Sequence, residues 1–259
     1  MTDSATTLYR AGKLTTAIEA AKAAIRSNPG DVDTRHLLAQ LMAFVGDFQA
    51  SDRQLKVLAT EAPEHLVTIG LRRKTLEAAE HRRDVFEQGR LPEFLCEPDP
   101  ILKHALRSLT EWREGALSNV KKQPAANTNS NLVVNDAAAP GLHDLDDILA
   151  GVLEFMTIDG GYGWVSWNDL RSLKLIEIED LWDLIWRQAE LDGSFGQIGR
   201  VFLPCLYVGS EKSEDPQVAL GRSTEWDDES PVRRPLGLRI YASQQNEWTA
   251  HELQEVRAI

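Results

Sequence analysis

The chain has 259 residues, with 28 Lys and Arg against 40 Asp and Glu, a formal net charge of -12 and 42% hydrophobic residues. The imbalance is local: residues 1–141 carry 18 basic and 18 acidic groups, whereas residues 142–259 carry 10 and 22. The second part repels polyanions and anionic bilayer surfaces, which argues against nucleic acid and membrane partners.

The first residues mix Arg10, Lys13 and Glu19 with small side chains, so no signal-peptide core is visible. No run approaches the roughly 20 apolar residues that a spanning helix needs. A soluble, cytoplasmic protein is expected. Cys96 and Cys205, the two cysteines, offer no disulfide framework and no thiolate zinc site.

A period is visible at the N-terminus. Gly12 and Gly46 are 34 residues apart, as are Pro29 and Pro63. This is the tetratricopeptide spacing: a helix pair with glycine in its tight turn and proline closing its second helix. In that register Ala5, Leu8, Ala17, Ala21 and Ala24 are buried in the first unit. Leu38, Ala39, Met42, Ser51, Leu55 and Leu58 are buried in the second. Arg35 stands where a large apolar residue is usual. No third glycine follows. Helices over about 64–88 and 100–121 therefore read as caps on two repeats.

Residues 122–141, rich in Asn, Ala and Pro, read as a linker or mobile loop. The expected organisation is a repeat domain over 1–121, the linker, and an acidic, tryptophan-rich domain over 142–259. In the last part, Val152 to Ile158, Asp159-Gly160-Gly161 and Tyr162 to Trp167 read as a β-hairpin. Asn168 is the expected cap of a short helix to about Leu173. A second hairpin is expected over Leu184–Leu203, although Leu181, Trp182, Ile185 and Trp186 also fit a helix. Leu236–Ala242 reads as a strand, and Thr249 with Glu252 as the capping box of a last helix. The fold class is multi-domain α and β: tetratricopeptide-like helical hairpins, then an α+β domain with an antiparallel sheet.

No HExxH, CxxC, GxSxG or P-loop occurs, so no catalytic residues and no cofactor are assigned. His143, Asp144, Asp146 and Asp147 form the one compact cluster able to hold a hard cation. The plainer reading is a solvated acidic segment with a helix cap. Six of seven tryptophans follow residue 142, as core residues or as the lining of a peptide groove. Arg222, in an acidic neighbourhood, is expected to make a buried pair with a carboxylate. On the helices, Tyr9, Arg10, His36, Gln40 and Phe44 share the face on which such repeats bind peptides. The alternative is that this face packs on the rest of the chain.

Several stretches in order carry a resemblance. They are Arg82-Arg83-Asp84-Val85-Phe86 with Gly89 and Pro92; Gly161-Tyr162-Gly163-Trp164-Val165; and Asp183-Leu184-Ile185-Trp186. Leu203-Pro204-Cys205-Leu206-Tyr207 with Gly209-Ser210 follows, then Leu220-Gly221-Arg222 with Thr224 and Trp226, then Gly237, Leu238 and Arg239. Together they resemble the ImpE/TagJ (SciE) family of type VI secretion accessory proteins. The resemblance gives Tyr162, Trp164, Asp183, Trp186, Pro204, Tyr207, Arg222, Thr224, Trp226 and Arg239 a structural role. It implies a non-catalytic cytoplasmic adaptor that binds an N-terminal helix of the small sheath subunit, with an indirect link to the sheath-recycling ATPase. In one departure, the family's arginine in the Asp-rich segment is missing: Asp144-Leu145-Asp146-Asp147 runs straight into Ile148-Leu149. Two other readings stand beside the adaptor: a metal-dependent or catalytic domain recruiting peptides through the repeats, and a general scaffold for another peptide.

Overall fold

The computed structural model describes residues 4–116, 131–227 and 230–259. Its helical half opens with two helix pairs: α1 (Ala5–Arg10) with α2 (Leu14–Ser27), and α3 (Val32–Phe44) with α4 (Phe48–Glu61). The turns inside the pairs are equivalent. Gly12 and Gly46 have φ of 76° and 71°. Lys13 N donates to Leu8 O at 2.9 Å, and Asp47 N donates to Met42 O at 3.0 Å. Such i to i+5 bonds close a helix only where the preceding residue is left-handed, which glycine allows at little cost. Ser4, Asp31 and Asp47 cap α1, α3 and α4 through their side chains.

The buried positions expected in the second pair are all buried. In the first pair Ala24 is exposed, because it faces an open groove rather than a neighbouring helix. Arg35 is buried, and its guanidinium donates to Glu61 at 3.0 Å and Gln54 at 3.1 Å. It ties α3 to α4 by hydrogen bonds where a large apolar side chain was expected. Two more helices follow, α5 (Leu66–Glu87) and α6 (Pro100–Arg113).

The other half is a nine-stranded sheet in the order β1-β6-β5-β9-β8-β7-β14-β2-β3. Its strands are β1 (Glu93–Phe94), β2 (Leu132–Val134), β3 (Ala137–Ala138), β5 (Val152–Thr157), β6 (Tyr162–Ser166), β7 (Leu170–Leu175), β8 (Trp186–Gly193), β9 (Gly196–Pro204) and β14 (Glu255–Ala258). All neighbours are antiparallel except β1 with β6. A three-stranded sheet joins β4 (His143–Asp144), β12 (Ile240–Ala242) and β13 (Glu247–Thr249). A two-stranded one joins β10 (Thr224–Glu225) and β11 (Leu236–Gly237). The short helix α7 (Pro216–Ala219) lies between β9 and β10 in sequence.

Both faces of the large sheet are covered. One apolar cluster joins helical residues such as Phe44 and Phe86 to Val152, Met156, Tyr162, Trp164 and Trp186. A second, on the opposite face, holds Leu153, Phe155, Val165, Trp167, Leu203 and Val256. Strand side chains alternate between faces, so a strand buried on both sides reads as an unbroken apolar run. The first core crosses the segment boundary drawn from the charge counts, and β1 takes an edge of the sheet from within the helical segment.

Several sequence expectations need correction. The hairpin on Asp159-Gly160-Gly161 forms, but the helix after Asn168 is a single 3-10 turn, Trp167–Asp169, capped by Ser166. The chain then enters β7. There Leu170 and Leu173 are buried at a spacing of three because a bulge shifts the register between Leu170 and Ser172. The second hairpin forms as β8 and β9 but turns at Gly193–Gly196, after Asp192 rather than on it. Leu181, Trp182 and Ile185 make one helical turn, with Trp186 N bonded to Trp182 O at 2.9 Å. Leu236–Ala242 breaks into β11 and β12. Thr249 N does donate to Glu252 at 2.8 Å, but the box closes a turn before β14, not a helix. The expected linker holds β2 and β3 in its second part; residues 122–130 lie outside the described residues.

Candidate functional site

Helix α5 and the sheet meet through buried charge. On β5, even-numbered side chains face the helices, which aims Glu154 at α5 from between Val152 and Met156. Glu154 is 1% exposed. Arg82 grips both of its oxygens, at 2.7 and 3.0 Å. A second guanidinium, from Arg239, bonds the same carboxylate, and the Tyr162 hydroxyl donates to it as well. Trp164 Nε1 donates to that hydroxyl oxygen at 2.6 Å. Arg239 also pairs with Asp144 at 3.2 Å, and Arg234 pairs with Asp146 at 2.9 Å. Arg234 in turn lies over Phe86 and Trp112, 5.0 and 4.4 Å from the ring centroids. Three arginines face three carboxylates, so the buried charges balance.

Burial drives the protonation equilibria here. It raises the Asp144 carboxyl to about 6, against the opposing pull of Arg239. It also pushes the Tyr162 and Tyr207 phenols well above their ordinary range. Burial pulls the Arg82 guanidinium downward. Glu154 is bound by two arginines and the Tyr162 hydroxyl, and the two aspartates by arginine and backbone N–H groups. Asp144 accepts from Asp146 N at 2.8 Å, and Asp146 accepts from Ile148 N at 2.9 Å. The geometry serves to join elements.

The metal reading of Asp144, Asp146 and Asp147 fails on these contacts. Asp144 and Asp146 are buried rather than solvated, and each is paired with an arginine cation. Asp147 Oδ2 accepts from Arg233 N at 2.7 Å. His143 Nδ1 is 2.9 Å from Gly141 O. Among the described residues no group of three His, Cys, Asp or Glu could hold a metal ion. The arginines that pair with this segment, Arg239 and Arg234, come from about 90 residues further along.

The proposed binding face on the helices is largely closed. Tyr9, Gln40 and Phe44 are buried, and Tyr9 stacks near Phe44 with ring centroids 6.2 Å apart. His36 is half-buried beside Arg72, whose other end bonds Asp180; burial first, then Arg72, lowers its pKa to about 4. Of the five, Arg10 is exposed. What stands open instead is a groove of about 750 Å³ along α1, α2 and α3, lined among others by Ala5, Leu8, Ala20, Ala23, Ala24 and Leu37.

The motif residues are mostly framework. Trp164, Trp167, Trp182, Trp186 and Trp248 are buried, whereas Trp226 is 36% exposed beneath Arg233. Pro204 is buried at the end of β9. Tyr207 Oη accepts from Ile240 N at 3.0 Å and donates to Ile240 O at 3.1 Å, pinning β12. Asp183 accepts from Glu179 N and Asp180 N, and Thr224 Oγ donates to Leu238 O. Arg222 departs from expectation: it is exposed, and among the described residues it pairs with no buried carboxylate. It donates to the carbonyls of Tyr9 and Arg10, at 2.8 and 3.1 Å, at the C-terminal end of α1, where the last carbonyls have no i+4 partner and the helix dipole favours a cation. Glu154 and Arg234 escaped the sequence reading. A lone glutamate inside the run Val152-Leu153-Glu154-Phe155-Met156 was the available signal.

The sequence matches the ImpE protein family over residues 136–257. It is 30% identical over 257 residues to the type VI secretion system accessory component TagJ of Pseudomonas aeruginosa PAO1, covering 96% of this chain and 89% of that protein. The fold resembles the crystal structure of protein VPA1032 from Vibrio parahaemolyticus, with a TM-score of 0.86, 24% identity, and coverage of 98% and 97% of the two chains.

Proposed function

The chain belongs to the ImpE/TagJ family of type VI secretion accessory components, and we propose that it works there as a non-enzymatic adaptor. Its two helix pairs serve as a tetratricopeptide-like module that holds an N-terminal helix of the small sheath subunit in the cytoplasm. An effect on sheath assembly, or on recycling by the ATPase, follows from that contact.

The observation that carries the reading is the open groove on α1, α2 and α3. Ala, Ser and Thr make up most of its walls, and small side chains let a second helix approach closely. The face with Tyr9, Gln40 and Phe44 contributes packing rather than binding in this reading. A bound helix would bury aliphatic anchors against Leu8 and Leu37, with charge setting orientation and association rate. Among the described residues no helix is long and apolar enough to cross a membrane.

Co-purification tests the reading. The full-length chain should retain the small sheath subunit, and should lose it when that subunit's N-terminal helix is removed. Equal retention without the helix would contradict the proposal.

A further inference from the structure

The segment Gly209–Arg222 lies as a strap across the ends of the helix pairs. It meets them at equivalent points. The Glu211 side chain fills the space beside Gly46, and Gln217 with Arg222 fills the space beside Gly12, the matching glycine 34 residues earlier. Arg222 holds the Tyr9 and Arg10 carbonyls and lies 4.9 Å from the Tyr9 ring centroid. Lys212 Nζ reaches Glu87 at 2.7 Å.

The two sides of the strap differ. Its roots are buried: Ser210, Val218, Ala219 and Leu220. Ser210 Oγ accepts from Gly237 N at 2.7 Å, which fixes the root to β11. Its hydrogen bonds and ion pairs to the helices come instead from side chains that are exposed or half-buried. Exposed polar contacts contribute little each, so such a seam parts at lower free energy than the buried charges at Glu154. Beneath the first strap residues lies a cleft of about 60 Å³, bordered by Phe44, Phe48, Trp186, Leu206, Val208 and Glu211. Closed, it has room for little more than one small side chain.

We propose that Gly209–Arg222 is a latch: it stays rooted on the sheet while its polar tips release the first helix pair, and release bares Tyr9 and opens the cleft beside Phe44. Arg222 is the principal catch, since it bonds two carbonyls and stacks on a ring at once. The device needs no partner and stands apart from the adaptor reading.

Hydrogen–deuterium exchange on the full chain tests it. Arg222→Ala should speed exchange by about fivefold or more in peptides from Ala5–Ser27 and Gly209–Arg222. Peptides from β5, β8 and β9 should keep the wild-type rate. Arg222→Lys keeps the charge but loses the planar fork, and should fall between the two. Unchanged exchange in Arg222→Ala, or an equal rise through the whole chain, would overturn the latch. If Arg222→Ala does not fold, Arg222→Lys decides by the same pattern.

Discussion

Two of the seams between the helices and the sheet half are built on opposite principles. At the inner seam Arg82, Glu154, Arg239 and Asp144 are buried and mutually compensated. At the outer seam Arg222, Lys212 and Gln217 reach the helices from a strap at the surface. A buried charge has no water to fall back on, so the inner seam holds or the structure fails. An exposed charge exchanges a protein partner for water at little cost, so the outer seam can open.

The inner seam offers the strongest test of this contrast. Glu154→Gln keeps the shape but leaves Arg82 and Arg239 sharing an uncharged partner. The expected loss of stability is about 3–5 kcal/mol, read as a lower urea midpoint. A loss comparable to that of a surface substitution would erase the distinction between the seams.

Asp144 sharpens the comparison through pH. Its carboxyl in the folded chain lies near 6, above the ordinary 3.8, so folding takes up a proton between these values. Its contribution is fully present below about pH 3.8 and is lost as pH rises through about 6. The stability difference between wild type and Asp144→Asn should therefore shift in favour of wild type as pH falls from 7 to 4. His36 has the opposite sign. Its pKa is lowered to about 4, so its contribution is present above 6.5 and lost as pH falls through about 4. Comparing wild type with His36→Gln over the same range should give the reverse slope. Urea titrations at fixed pH steps measure both.

The smallest effect belongs to the outer seam. Lys212 and Glu87 are 66% and 35% exposed at their side chains. Lys212→Ala should change global stability by no more than about 0.5 kcal/mol in thermal unfolding. A large drop would mean that the strap bears structural load and is no latch.

The local elements were legible where one residue type dictates the backbone. Gly12 and Gly46 announce their turns because few other residues take positive φ, and Asp159-Gly160-Gly161 announces its hairpin for the same reason. The strand β7 was hidden because a bulge gave its buried leucines a helical spacing. Thr249 and Glu252 make the contact their spacing suggests, yet the chain leaves them as a strand, since pairing of β14 with β7 and β2 outweighs a local cap. Long-range partners were hidden altogether. Nothing in the sequence near Asp144 points to Arg239, and nothing near Tyr9 points to Arg222, because the sheet order and not the chain order brings them together. The charge excess after residue 142 likewise gave no hint that three carboxylates would be buried against arginines.

Calorimetric titration of the full chain with the N-terminal helix of the small sheath subunit tests the central proposal most directly. Wild type should bind with a Kd of about 10 µM or tighter. Ala23→Glu, which puts a charge into the open groove without touching either seam, should weaken binding at least about tenfold. No binding by wild type, or equal binding by Ala23→Glu, would contradict the account.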